Sequence, residues 1–134
     1  MRTKEQMNRE LVEMNEFLSK GIPDSDISLM LTTLSTLVTY LASSASLVAE
    51  SGLYYNQAKY KAFNGLTNAK DANGKAKPAS LIKEYIQSKC SNEGFVYEFA
   101  QRLNAAITHT IEAVRTAISA EKSLNHSMSY SQTR

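Results

Sequence analysis

Apolar residues recur along this chain at intervals of three and four, the spacing that gathers them on one side of an α-helix. Over residues 3–20 the row is Met7, Leu11, Met14 and Leu18, a narrow stripe with Arg9 and Glu13 spaced to pair beside it. Gly21 suits the helix end, and Pro23 blocks an easy restart. A second helix is expected to open at Asp24 or Ser25, either of which can cap it, with Asp26 complementing the dipole. It runs to about Glu50 and on through Gly52. Ile27, Leu31, Leu34, Val38, Leu41, Ala45 and Val48 form one unbroken apolar row, and Thr32, Thr36, Thr39, Ser43 and Ser46 form a hydroxyl row. No charge occurs between Ile27 and Ala49. A membrane span fits that length, but the many Ser and Thr residues argue against lipid. An uncharged helix in a soluble chain should be covered nearly all round. In a chain this short the cover is expected to come from another copy, so the reading is a homo-oligomer with no membrane partner.

Residues 53–65 continue helical and basic up to Gly65. The stretch 66–79 is small, polar and lysine-rich, as expected of a loop. Ser80 can cap a short helix over 81–90, with Leu81, Ile82, Tyr85 and Ile86 inward. After a break at 91–94, a last helix over 95–122 presents Phe95, Val96, Phe99, Leu103, Ile107, Ile111, Val114 and Ile118 to the core. Residues 123–134 carry no period and are expected to be a disordered tail. The fold class is all-α: one domain over 1–122, a bundle of four to five helices with a long central helix and a long C-terminal one.

Composition narrows the function. A chain of 134 residues with 43% hydrophobic content is long enough to bury a core. A single cysteine, Cys90, allows neither an internal disulfide nor a multi-thiolate zinc site. The N-terminus has no signal-peptide pattern, so a reducing cytoplasm is expected. Residues 1–50 hold four Lys/Arg against seven Asp/Glu, whereas 51–90 hold seven Lys against Asp71 and Glu84. An anion is therefore expected to meet the middle of the chain. Catalytic patterns are absent. Around Gly74-Lys75 a phosphate loop fails, because Ala69 replaces its first glycine and Ala76 its magnesium-binding hydroxyl. His109 and His126 are too far apart for a metal pair, and Glu98 and Glu112 lie about 21 Å apart on one helix, too far for an acid/base pair. No enzyme, metal or cofactor is expected.

Two constellations remain. Tyr54, Tyr55, Lys59, Tyr60, Lys61 and Phe63 put flat rings beside ammonium groups, which suits a base and its phosphate. Alternatively Leu53, Tyr60 and Phe63 pack inward while the lysines lie along the surface. On the last helix Gln101, Thr108, Glu112, Arg115, Ser119 and Lys122 share a stripe flanked by Arg102, His109 and Thr116. Arg115 offers a planar fork for phosphate, and Thr108 and Ser119 offer hydroxyls. Glu112 can orient Arg115 or His109. The same residues could instead form an internal polar network.

The pattern Arg102-Leu103-Asn104, Thr108-His109, Ile111, Arg115-Thr116, Ile118-Ser119, Lys122 resembles one in small all-helical proteins of bacteriophages and prophages, over about residues 25–122. The tyrosine–lysine helix at 54–63 and the segment Lys83, Tyr85, Lys89-Cys90 fit it too. More remotely, the architecture is similar to phage anti-CBASS sponges, helical oligomers that sequester cyclic nucleotides without cleaving them. That resemblance implies a phage-encoded, non-enzymatic protein of the host cytoplasm that sequesters a small nucleotide-type immune signal. The ligand would meet Arg102, Thr108, His109, Glu112, Arg115 and Ser119, with Tyr54 or Tyr55 stacking and Lys59 or Lys61 closing the anion site. The alternatives are a single-stranded-DNA-binding accessory protein, or a protein that inhibits a host defence enzyme by contact.

Overall fold

The computed structural model describes residues 1–66, 74 and 78–132, and the chain folds as an all-α bundle of four helices. α1 spans Lys4–Ser19, α2 Ile27–Leu66, α3 Ala79–Lys89 and α4 Ser91–Gln132. The expected 66–79 loop lies mostly outside the described residues.

Thr3 opens α1 with a capping box: its hydroxyl accepts from the Gln6 amide at 3.1 Å, and the Gln6 side chain accepts from the Thr3 amide at 2.9 Å. Met7, Leu11 and Met14 are buried and Leu18 half-buried, as the stripe predicts. Gly21 ends the helix at φ 77°, a left-handed conformation that glycine adopts without a Cβ penalty. The cap of α2 is a correction. Neither Asp24 nor Ser25 serves; the Asp26 carboxylate accepts from the Leu29 amide at 3.0 Å, and Ser25 sits in the turn at φ 58°. Arg9 and Glu13 were expected to pair, yet Glu13 instead accepts from the Tyr40 hydroxyl of α2 at 3.2 Å.

α2 is one unbroken helix of 40 residues, because nothing between Glu50 and Gly65 breaks it. It packs chiefly against α4, antiparallel, with Ser44 level with Asn104 and Gly52 level with Tyr97. The seam on α2 is Met30, Leu34, Leu37, Leu41, Ser44, Val48 and Ser51, a strict four-three alternation. Facing it are Ala100, Leu103, Ile107, Ile111, Val114 and Ile118, all buried. Leu37, Leu47, Ile107 and Val114 are wholly sealed from water. α1 lies over one side of this pair, its Phe17 ring edge-on to Tyr40 with centroids 5.3 Å apart.

The face that α2 turns to α4 differs from the apolar row of its sequence. Leu31 and Val38, members of the unbroken apolar row, are 48% and 49% exposed, and Ala45 is exposed with them. The helix is rotated so that Met30, Ser44 and Ser51 turn inward, the two serines being small enough to let α4 approach. Within one chain α2 is left uncovered along one side. By length and hydropathy it could cross a membrane, and 17% of its most apolar window is buried. The hydroxyl row faces outward and bonds its own helix: Thr32, Thr36 and Thr39 each donate to the carbonyl four residues back at 3.1–3.2 Å. Those hydroxyls are therefore no argument against lipid. A better one is α4, which runs the length of the same segment with Arg102, Glu112 and Arg115 exposed, costly company in a bilayer.

α3 begins at Ala79 behind Pro78 with no side-chain cap, so Ser80 is not the cap. Only Ile82 and Ile86 lean on the bundle; Leu81 and Tyr85, expected inward, are 52% and 41% exposed. The break before α4 is a single residue, Cys90. Phe95, expected in the core, is exposed and stacks parallel on Phe99 at 6.0 Å. α4 continues to Gln132 where a tail was expected from residue 123, because no glycine or proline follows Gly94 to stop it.

The N-terminus is pinned by Arg2, whose guanidinium meets Glu10 of α1 and Glu50 of α2 and donates to the Ser46 hydroxyl at 2.7 Å. Hydrogen bonds from the Arg2 side chain and amide hold the Glu50 carboxyl below its ordinary range. That contribution is complete above the usual glutamate value of about 4.3 and is lost as pH falls through the depressed folded value. Urea unfolding at several pH values should show stability declining below pH ~4.3, with a shallower decline in Glu50→Gln. Leu37→Ala should lose about 2–5 kcal/mol in the same assay, the range for emptying a sealed leucine site.

Candidate binding site

Tyr55, Lys59 and Phe63 follow one another at i, i+4 and i+8, so they share a face of α2 near its C-terminal end. The turn at Cys90 folds α3 back against that face. Together they border an open cleft of about 340 Å³ lined by Tyr55, Lys59, Phe63, Ile82, Lys83 and Gln87, with Ala79 and Ile86 completing it. Among the described residues this lining holds two ammonium groups and no carboxylate. The Lys59 ammonium lies 4.2 Å from the Tyr55 ring centroid, a cation–π contact that fixes where its charge sits.

Two glycines set the tyrosines. Tyr55 lies against Gly94 at the start of α4, where an added Cβ would come within 3.1 Å of the ring. Tyr97 of α4 lies against Gly52 of α2, where a Cβ would be 2.9 Å away. Each helix thus offers a bare backbone to the other's ring, and the two tyrosines stack with centroids 6.0 Å apart. Tyr55 therefore has Tyr97 and Lys59 as ring neighbours already. Sequence reasoning missed Gly52, Gly94 and Tyr97; a glycine inside each of two long helices, one close to a tyrosine on its own helix, was the available signal.

The remaining sequence-derived residues go elsewhere. Tyr54 points the other way, donating its hydroxyl to the Arg2 carbonyl at 2.8 Å, with Lys4 5.9 Å from its ring. It lines a second cleft of about 540 Å³ with Met7, Asn92, Phe95 and Val96, bridged by Lys4 and Glu93 at 3.2 Å. Lys61 is exposed outside both. Leu53, Tyr60 and Phe63 do not pack inward; Tyr60 is 69% exposed.

On α4, Arg102, Thr108, His109, Glu112, Arg115 and Ser119 are all exposed. Arg102 pairs with Glu98 at 2.6 Å, one turn back. Thr108 donates to the Asn104 carbonyl at 3.1 Å, and Thr116 to that of Glu112 at 3.0 Å. His109 Nδ1 lies 3.9 Å from the Glu112 carboxylate, so Glu112 faces His109. None of the six lines either cleft described here. The helix register places Arg115 about level with Leu34, roughly 30 Å along α2 from Tyr55 at helical rise. Within one chain the two constellations do not converge.

No family model matches this chain, and neither the curated proteins nor the solved structures hold a match to it.

Cys90 sits at the α3–α4 corner, 2% exposed, and burial pushes its thiol above the ordinary value, with Glu93 adding to the rise and Lys59 opposing it. Its reaction with a disulfide reagent should be slow in the folded protein and rapid in urea. In the folded state the rate should climb only at pH values above the free thiol's, about 8.5.

Proposed function

We propose that this protein is a non-enzymatic binding protein for a small phosphorylated ligand with a flat ring, a nucleotide-type molecule, taken up in the α2–α3 cleft. One observation carries this reading: Lys59 and Lys83 face a single cleft beside Phe63, with no carboxylate among its described lining. Two ammonium groups on one cleft without a carboxylate leave its positive charge unbalanced, and a phosphate bound there would balance it. Phe63, 47% exposed, is the ring available for stacking, since Tyr55 is already engaged by Tyr97 and Lys59. Lys59 is held by its contact with Tyr55, so less side-chain freedom is lost when it meets an anion. The role attached to this capacity is sequestration of a nucleotide-type signal against host defence, and it rests on the resemblance to sponges. The α4 flank, Arg102 to Ser119, is in this reading a solvated face.

A second reading is favoured by the rings and ammonium groups that continue outside the cleft. Tyr60 and Lys61 are exposed, and Lys89 lies 5.7 Å from the ring of exposed Tyr85. A single-stranded nucleic acid would use these along with the cleft; Lys70, Lys75 and Lys77 of the lysine-rich stretch lie outside the described residues.

Calorimetry with cyclic mononucleotides, cyclic dinucleotides, ADP-ribose, inorganic phosphate and an oligo-dT strand tests both. A nucleotide should bind, phosphate alone far more weakly, and Lys59→Ala or Lys83→Ala should each weaken the nucleotide about 10–100-fold, as expected for one charge-assisted hydrogen bond. Phe63→Ala should also weaken it, whereas Arg115→Ala should not. Silence across the panel, or loss on Arg115→Ala alone, overturns the cleft. Tighter binding of oligo-dT, falling steeply with salt, selects the strand instead.

A further inference from the structure

α2 has a second apolar row, on the side turned away from α1. Leu31, Ser35, Val38, Ala42, Ala45 and Ala49 follow one another at intervals of four and three, and all six are exposed. Tyr40, which faces α1, lies half a helical turn from this row. The row shares its length with the uncharged stretch from Ile27 to Ala49, and the outward hydroxyls of Thr32, Thr36 and Thr39 border it as a polar rim.

We propose that this row is the contact surface for a second copy of the chain, with the two α2 helices antiparallel across a two-fold axis. The row is graded: its bulky members, Leu31 and Val38, stand at the N-terminal end, and its small ones, Ala42, Ala45 and Ala49, at the C-terminal end. Turned end for end, it fits itself. Leu31 faces Ala49, Ser35 faces Ala45 and Val38 faces Ala42, each larger side chain opposite an alanine, which allows the axes to approach to about 8 Å. A parallel pairing would set Leu31 on Leu31 and leave the alanine end loose. Charge points the same way. The antiparallel arrangement brings the Asp24 and Asp26 end of one copy towards the Lys59 and Lys61 end of the other, whereas a parallel one stacks like on like. A charged partner would find nothing to pair with on the row itself, and a bilayer would have to admit the exposed Arg102, Glu112 and Arg115 alongside. A two-fold pair makes the surface isologous, so one self-fitting row suffices for both copies. This proposal does not rest on the cleft, and either can fail without the other.

Sedimentation of the full chain tests it, the single-chain mass being 14.9 kDa. At tens of micromolar the protein should sediment at twice that mass, and Ala45→Glu at the single-chain mass with its helical circular dichroism kept, since alanine and glutamate are both good helix formers. The direction is tested with two variants that each add one cysteine, Leu31→Cys and Ala49→Cys. In the antiparallel pair a disulfide should form when the two proteins are mixed and not in either alone, because two copies of residue 31 lie about 27 Å apart along the axis. The unsubstituted chain, whose one thiol is buried, is the blank. A wild-type monomer at this concentration overturns the proposal, as does an Ala45→Glu protein that keeps the doubled mass. So do cross-linking of Leu31→Cys alone, and co-flotation of the wild type with phosphatidylcholine vesicles that Ala45→Glu abolishes.

Discussion

The seam between α2 and α4 is the constraint on which the rest depends. Two helices of 40 and 42 residues cannot stay folded singly on propensity; each gains its stability from the apolar face it buries on the other. Leu37 and Leu47 on one side, and Ile107 and Val114 on the other, exclude water completely. Among the described residues, a hydrogen bond crosses this seam. The Asn104 amide donates to the Ser44 hydroxyl at 2.8 Å while that hydroxyl donates to the Leu41 carbonyl at 2.9 Å. A slip of the helices past each other by one residue would break the first bond and leave a serine buried beside hydrocarbon without its amide partner, so the pair has one register. That register brings Gly52 to Tyr97 and Gly94 to Tyr55, and so places the mouth of the α2–α3 cleft.

The four-three rhythm made the helices legible before any coordinates, and α4 shows why. Between residues 103 and 118 its large apolar residues lie on one side only, so Leu103, Ile107, Ile111, Val114 and Ile118 could be assigned to the core directly, and all are buried. α2 is different, being apolar on two sides. Ile27, Leu31, Leu34, Val38, Leu41, Ala45 and Val48 form a better row by hydrophobicity than Met30, Leu37, Ser44 and Ser51 do, and a periodicity argument selects it. The structure selects the other, because α4 needs small residues where Asn104 and Tyr97 approach. Leu34, Leu41 and Val48 belong to both rows, so the misreading amounts to a rotation of part of a turn. The same surplus of apolar surface that misled the sequence reading remains as the outward row of Leu31, Val38 and Ala45.

The sites were less legible than the fold, for a different physical reason. Spacing tells which residues share a helix face but not what faces them. Spacing placed Tyr55, Lys59 and Phe63 together, yet Lys83 and Gln87 of α3 reach them only through the corner at Cys90. On α4 the Thr, His and Ser residues suggested enclosed hydrogen bonds, since such residues are mediocre helix formers. The threonines meet that expectation within their own helix, by donating to the carbonyl one turn back, which satisfies the hydroxyl without any enclosure. A polar flank rich in threonine is thus ambiguous by nature: the bond that suggests a ligand can be made by the backbone beneath it.

The two proposals meet in the geometry of the pair. Turning α2 end for end places the two α2–α3 clefts at opposite tips of the assembly, with the two Lys59 residues about 57 Å apart along the shared axis at helical rise. No small ligand spans that distance, so each cleft would fill on its own, without one site's occupancy altering the charge felt at the other. A flexible strand could reach from tip to tip, and it would then pass the outer surface of both copies, where α4 exposes Arg102 and Arg115. The outward-facing cations of α4, which are idle in the reading for a small ligand, thus gain a role only in the reading for a strand. For a small nucleotide the pair would instead act as two independent traps on one rigid rod, doubling capacity without changing affinity.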